Sequence, residues 1–353
     1  MADLPIDLPP RSIVIVMLSA LGDAVHVLPV INALKRTWPA TRISWIIQPV
    51  PHRLVQEHPS VDEFFVFHRR RGTAAARSYR ELHEQLRGKH FDLALNLQVY
   101  MKAGLITALL TADAKLGFDR KRARDLNWLF TTHRIPPRPT GHVQDQYFEF
   151  LEYLGVAPAP VEWRFEPTAR ERIQQRAFFA SRGRTCAIVV GTSKPQKNWL
   201  PDRYARVVQS VVNDYGLEPI LVGGPSSTER ELAERIKSVA GVPMVDQLCD
   251  DVRRLVWLLD GCDLVISPDT GPLHAARALD RPVVGLYGYT NPKRYGPYRK
   301  FTDLIVDGYA RSPSEDYPLS TEYRDDGMQR ITVDMVLHKV ELAVKRYLAE
   351  PQG

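Results

Sequence analysis

One unit recurs along this chain: a short β-branched or leucine-rich run, a glycine-bearing turn, and a stretch of helical periodicity. It is clearest at DLVISPDTGPLH, residues 263–274. Leu264, Val265, Ile266 and Ser267 read as a buried strand that ends in the tight loop Pro268-Asp269-Thr270-Gly271. A helix over 272–279 then begins with proline, at a position where a missing N–H costs nothing. A strand entering a helix through such a loop presents free backbone N–H groups to an anion such as phosphate. Asp269 and Thr270 are also residue types that cap helices, and that plainer role is the alternative.

The same alternation is read from the start of the chain. A strand is expected over 12–18, followed by the turn Ser19-Ala20-Leu21-Gly22-Asp23 and a helix over 24–36. Strands at 43–47, 64–67, 91–97 and 115–118 alternate with helices at 73–86, 101–110 and 143–154. GVAPAP, residues 155–160, is proline-rich and marks a domain boundary. The alternation then restarts, with helices at 171–179, 203–212, 228–239, 252–259 and 333–348 and strands at 186–190, 219–222, 264–267 and 283–287. This pattern predicts an α/β protein of parallel sheets covered by helices. At 353 residues two domains are the natural division. They are expected at 1–157 and 158–332, both doubly wound and facing a central cleft, with a final helical segment at 333–353. Ligands of such sheets lie at the carboxyl ends of the strands.

Composition narrows the function classes. Hydrophobic content of 44% and charged content of 25% suit a soluble globular protein. No apolar run approaches a membrane span, and MADLPIDLPP lacks the order of a signal peptide. Cys186, Cys249 and Cys262 are scattered, so neither a disulfide framework nor a zinc site is expected, and a cytoplasmic location follows. The net charge of +6 is uneven, because residues 1–155 hold 20 Lys and Arg against 15 Asp and Glu, a net of +5. The clusters Arg69-Arg70-Arg71 and Arg120-Lys121-Arg122 with Arg124 are solvated faces by default. Their functional alternative is an anionic partner, and the absence of aromatic-rich RNA-binding signatures puts nucleic acid last.

Three turns hold residues that can do chemistry. Asp23 places a carboxylate at a helix start, either as a partner of the helix dipole or as a general base. The turn has one glycine and does not fit G-x-G-x-x-G, so a dinucleotide oxidoreductase is weakly supported. The loop Gly191-Thr192-Ser193-Lys194-Pro195-Gln196-Lys197 sets hydroxyls and an ammonium after a strand, suited to phosphate or to an ordinary polar loop. It lacks the P-loop spacing. Gly223-Gly224-Pro225 is a third such turn.

Taken together, these motifs resemble glycosyltransferase family 9. The match comprises L-G-D-x-x-x-x-x-P from Leu21 to Pro29, T-S-x-x-x-K-x-W from Thr192 to Trp199, G-G-P at 223–225 and P-D-T-G-P-x-H at 268–274. Tyr287-Gly288 and Asn291-Pro292 fit its continuation. The resemblance implies a GT-B architecture of two Rossmann-like domains, with the acceptor on the first, the donor on the second and the last helix crossing back. It further implies an inverting, metal-independent transferase without a cofactor, most similar to the heptosyltransferases that extend the lipopolysaccharide inner core. Asp23 would be the general base and Lys197 would neutralise the leaving ADP. Thr192, Ser193, Asp269, Thr270, Gly271 and His274 would complete the diphosphate site. The acceptor, an anionic lipopolysaccharide precursor, would meet Ser19, Gly22, Arg69, Arg70, Arg71, Lys102 and Arg124, with transient contact at the inner leaflet and a peripheral location. Relatives carry Thr-Thr where this chain has Thr192-Ser193. They have an acidic ribose contact where this chain has Ser227, with Glu229 two residues on.

Three alternatives remain open at this stage. They are a family member with another sugar or acceptor, a nucleotide-binding protein without turnover, and, more distantly, an oxidoreductase. His274 as a partly buried helix residue bonded to its own domain is the plain reading of that side chain.

Overall fold

The computed structural model describes residues 4–349, so the outer ends of the expected first and last segments, 1–3 and 350–353, lie outside the described residues. The chain separates into two compact units, 1–139 with 143–165 and 140–142 with 166–353.

The first unit runs β1 (Ser12–Val16), α1 (Leu21–Thr37), β2 (Arg42–Ile47), α2 (Pro49–Val55), β3 (Glu63–Val66), α3 (Ala75–Leu86), β4 (Phe91–Asn96), α4 (Met101–Leu109), β5 (Ala112–Gly117), β6 (His133–Arg134) and α5 (Val143–Tyr153). Its sheet is parallel throughout, in the order β3-β2-β1-β4-β5-β6. The uninterrupted apolar run of β1 is explained by its central place: Ile13, Val14, Ile15 and Val16 are fully buried, as covering helices require on both faces. One face packs Val14, Val16, Phe65, Phe67 and Ala94 against Leu82 and Leu86 of α3 and Ala103 and Ile106 of α4. Each large side chain buried there contributes about 1.5–3 kcal/mol.

The second unit runs α6 (Ala169–Phe179), β7 (Thr185–Val189), α7 (Pro201–Asn213), β8 (Glu218–Val222), α8 (Ser227–Ala240), β9 (Val245–Asp246), α9 (Val252–Gly261), β10 (Leu264–Pro268), α10 (Gly271–Ala278), β11 (Val283–Tyr287), α11 (Pro292–Tyr295), β12 (Ile305–Asp307), α12 (Gly327–Arg330) and α13 (Val333–Ala343). Its sheet, again all parallel, is ordered β9-β8-β7-β10-β11-β12. Counted from its own first strand this is the order of the first unit. Both are Rossmann-like, doubly wound sheets whose strand order reverses between the first and fourth strands.

Two details differ from the sequence reading. The first unit extends to residue 165 rather than 157, because Trp163 and Phe165 are buried and Asn32 Nδ2 donates to the Glu162 carbonyl at 2.8 Å. The terminal helix is α-helical only to Ala343 and closes with a π-helical turn, Val344–Leu348. It packs on α7, β11 and β12 of the second unit.

After β11 the backbone makes an unusually close approach. A Cβ on Gly288 would lie 2.3 Å from the Gly327 carbonyl carbon, and one on Gly308 would lie 2.6 Å from the Gly327 oxygen. Only glycine allows three backbone segments to meet there. The excursion over 309–326 therefore leaves and returns at one point. On the way it forms a lone antiparallel bridge, Tyr323 to Thr290.

Candidate functional site

In the second unit the site forms where β7 and β10 lie side by side and their following turns diverge. The turn after β7 is held by a bond from Thr192 N to Asn198 Oδ1 at 2.8 Å, and it closes with a 3-10 turn, Pro195–Lys197. This aims Lys197 at the end of β10, where its Nζ donates to Asp269 Oδ2 at 2.6 Å and to the Asp269 carbonyl at 3.1 Å. Thr290 Oγ1, arriving after β11, donates to the same Oδ2 at 2.6 Å. His274 Nε2, one turn into α10, lies 3.4 Å from Oδ1. Asp269 is buried, which opposes its ionisation, but Lys197 and His274 hold its carboxyl well below the usual carboxylate range.

This corrects the capping alternative. Thr270 is the N-cap of α10 but makes no side-chain cap, and Asp269 turns to Lys197 and Thr290 instead. The Lys197 charge and the Thr290 hydroxyl offset the cost of burying that carboxylate. In the first turn Pro272 has no N–H and Leu273 N donates to the Thr270 carbonyl at 3.1 Å, so the Gly271 N–H is the one left for a ligand among the described residues. Within its own unit His274 meets the site's central carboxylate.

The other expected donor residues are arranged less simply. Thr192 Oγ1 donates to the Lys194 carbonyl at 2.7 Å and accepts from Lys194 N at 3.2 Å, so its hydroxyl shapes the turn. Ser193 and Ser227 are exposed and their hydroxyls are unbonded among the described residues. Glu229 accepts from Gly224 N at 2.8 Å and from Ser226 Oγ at 2.6 Å. Its side chain fills the space above Gly191, Gly223 and Gly224, where an added Cβ would meet it at 2.8–3.1 Å. Sequence reasoning missed Thr290 and Asn198. The signal for Thr290 was its place between Gly288 and the Asn291-Pro292 pair. It also missed a rim in which Tyr289 and Tyr323 stack at 4.7 Å with Lys194 Nζ 5.0 Å from the Tyr323 ring.

In the first unit the equivalent edge lies between β1 and β4. Gly22 sits in the first turn of α1, and Asp23 Oδ2 reaches back to accept from Ala20 N at 2.8 Å. Tyr147 on α5 donates to Oδ1 at 3.3 Å. Gln98 Nε2, in the turn after β4, donates to the Ser19 carbonyl, and Lys102 Nζ, in the first turn of α4, donates to Ser19 Oγ at 3.0 Å. Burial and the neighbouring Arg69 charge pull the Lys102 ammonium below its ordinary value, and Asp23 works the other way. Ser19, Asp23, Lys102 and Arg69 thus share one edge.

The basic cluster divides. Arg69 and Arg71 form no ion pair among the described residues, whereas Arg70 Nη1 is bound to Glu81 Oε2 at 2.5 Å. Arg70 therefore differs from its two neighbours in already having a carboxylate partner, on α3. Arg124 is exposed, with its guanidinium 6.0 Å from the Tyr100 ring. Arg122 is bound to Asp119 and to Glu149 at 2.7 Å. A group of His90, Asp92 and Asp113 gathers at the opposite, amino edge of this sheet. There Asp92 already accepts from Arg11 N and Ser12 N, and His90 meets Asp113 at 2.9 Å.

Comparison with known proteins bears on this arrangement. The family profile described as Glycosyltransferase family 9 (heptosyltransferase) matches residues 79–322. The lipopolysaccharide core heptosyltransferase OpsX of Haemophilus influenzae is 30% identical over 94% of this chain and 96% of its own length. Lipopolysaccharide heptosyltransferase 1 of Escherichia coli K12 is 26% identical over 82% of this chain and 91% of its own. Among solved structures, the E. coli heptosyltransferase WaaC with ADP superposes with a TM-score of 0.73 at 19% identity, covering 94% of this chain and 99% of that one. The two six-stranded parallel sheets are those of its GT-B fold.

Proposed function

The chain belongs to glycosyltransferase family 9, the heptosyltransferase family, and from that premise we propose that it transfers a heptose to the inner core of lipopolysaccharide. The donor is ADP-L-glycero-D-manno-heptose and the acceptor is the Kdo/lipid A precursor. One observation carries the reading: Asp23 is held at the carboxyl edge of β1 and β4 beside Lys102 and Arg69, a base next to cations suited to an anionic acceptor. The name of the H. influenzae relative, a lipopolysaccharide core heptosyltransferase, supports the same substrate class.

The acceptor oxygen attacks the anomeric carbon and its proton passes to Asp23. The bond from that carbon to the diphosphate breaks, and its electron pair leaves on ADP. Attack opposite the leaving group inverts the anomeric configuration. Negative charge grows on the diphosphate, where Lys197 and the Gly271 N–H at the start of α10 stabilise it, with Ser193 and Thr270 beside them. Thr192 shapes that turn, and Asp269 with His274 aims the ammonium. These donors supply the charge a metal would otherwise bring, so no metal or cofactor is required. Arg69, Arg71, Lys102 and Arg124 receive the acceptor's carboxylates and phosphates, with Ser19 and Gly22 lining the turn. Ser227 and Glu229 face the nucleoside side. No described helix is long and apolar enough to cross a membrane, and we place the protein on the cytoplasmic face of the inner membrane as a peripheral enzyme.

Asp23→Ala is expected to abolish transfer while ADP binding survives, as measured by product formation and calorimetry. Full activity in that variant removes the base from the proposal. A thermal-shift comparison of ADP-, UDP- and GDP-sugars tests the donor, and preference for uridine or guanosine overturns the heptose assignment. Activity should persist in excess EDTA. Tight ADP binding with no turnover on any nucleotide sugar would favour a non-catalytic nucleotide-binding protein.

A further inference from the structure

The first unit exposes an apolar ridge that the reaction above does not use. Leu126 and Leu129 are each 54% exposed, and Met101 and Leu105 are partly exposed one turn apart on α4. The two pairs are joined beneath the surface, because residues 127–130 pack on α4. Asn127 Nδ2 donates to the Tyr100 carbonyl at 2.6 Å, and a Cβ on Gly104 would meet Phe130 at 2.5 Å. Leu126 also has φ +61°, a left-handed conformation that bulky side chains avoid. An exposed leucine in that conformation is disfavoured twice, by water and by its own backbone, so nothing in the isolated fold explains it.

The charge around the ridge is one-sided. Arg120, Lys121 and Arg124 are exposed and immediately precede Leu126, with Arg120 spread over the Trp128 ring at 4.2 Å. Of the carboxylates in the segment, Asp119 is bound to Arg122, which leaves Asp125 as the exposed one. A few apolar side chains in a basic ring match the requirements for lying in the headgroup region of an anionic bilayer. A stable protein interface needs roughly 1,200 Å² or more, which four part-exposed side chains do not supply.

We propose that the ridge formed by Met101, Leu105, Leu126 and Leu129 inserts into the surface of an anionic phospholipid bilayer, with Arg120 and Lys121 on its headgroups. The inference names the surface for the peripheral location proposed above and rests on that reading only for its biological setting. The test is co-sedimentation of the full chain with vesicles of phosphatidylcholine, with or without phosphatidylglycerol. The wild-type protein should sediment with the anionic vesicles and not with the neutral ones. Leu126→Asn with Leu129→Ser, where asparagine tolerates the left-handed backbone, should weaken binding about tenfold. Arg120→Gln and Lys121→Gln should each weaken it about fivefold. Thermal melting separates loss of fold from loss of binding. If the leucine variant melts early, the two charge variants decide. Undiminished binding in all variants overturns the proposal, as does equal binding to neutral vesicles. A wild-type dimer lost in the leucine variant would instead assign the ridge to a second copy. Because the assay uses neither donor nor acceptor, its failure leaves the transferase reading standing, and failure of Asp23→Ala leaves the ridge standing.

Discussion

The two sheets share one strand order and one switch point but fill it with opposite electrostatics. Between β7 and β10 the central group is a buried carboxylate with its cation and hydroxyl already in place. Between β1 and β4 a half-buried carboxylate accepts from the Ala20 N–H and the Tyr147 phenol, beside an ammonium and an arginine that form no ion pair among the described residues. The first arrangement is a finished cradle, in which Lys197 is positioned before any ligand arrives. The second is a more open field: among the described residues Lys102 and Arg69 form no ion pair, and Asp23 favours the Lys102 charge only at a distance. Topology fixes where each ligand lies, and the pairing state of the charges decides how it is recognised.

The largest expected effect comes from breaking the cradle. Asp269→Ala leaves Lys197 part-buried without its partner and should destabilise the second unit by about 3–5 kcal/mol in urea unfolding. Asp23→Ala should cost under about 1 kcal/mol while removing turnover, and equal stability losses at the two sites would erase the distinction drawn here.

Acid should then separate the units. His58 is buried, with Nε2 facing the Trp163 carbonyl at 3.0 Å and Nδ1 accepting from Ser60 N. Burial lowers its pKa from 6.5 to about 4, against the pull of the Trp163 carbonyl and with the help of Arg164. A pKa depressed on folding means the stabilisation is whole above pH 6.5 and is lost as pH falls through 4, about 3 kcal/mol in all. The first unit should therefore weaken over that window, and His58→Asn should flatten its pH slope. Asp269 has the same sign, but its contribution should fade only below the carboxylate's ordinary range. A second unit that weakens between pH 6.5 and 4 would contradict this order.

Smaller effects sharpen the contrast. Thr290→Val removes one donor to Asp269 and should cost about 1–2 kcal/mol of stability without changing Asp23's edge. Arg69→Ala should raise the acceptor KM more than Arg70→Ala, since Arg70 is already bound to Glu81, and a reversed ranking would reassign the cluster. Raising salt should weaken acceptor binding on the open field more than nucleotide binding in the cradle.

Much of this was legible in the sequence. The central strands are long β-branched runs, and β11 falls at 283–287 as the pattern predicts. The short edge strands β6, β9 and β12 left no periodic signal, because two or three residues become a strand only when a neighbour offers its ladder. The turn holding Asp269 was visible, but its wiring was not. The partners Lys197 and Thr290 are 72 and 21 residues away, whereas the cap reading needed only neighbours. The end of the first unit was hidden for a similar reason. Prolines at 158 and 160 look like a linker, and only the burial of Trp163 and Phe165 shows that the chain is still anchored.

The meeting of Gly288, Gly308 and Gly327 has an evolutionary corollary. Because the ends of the 309–326 excursion are clamped together, inserting or deleting residues within it changes the closure entropy only with the logarithm of its length. Tyr317 on Asp307 and the Pro318 carbonyl on Asn291 tie its middle to the Rossmann frame, so such changes are confined to the stretches between these ties. Through the Tyr323 bridge to Thr290 it also touches the cradle, so lineages could vary what borders Asp269 and Lys197 while the sheet that carries them stays the same.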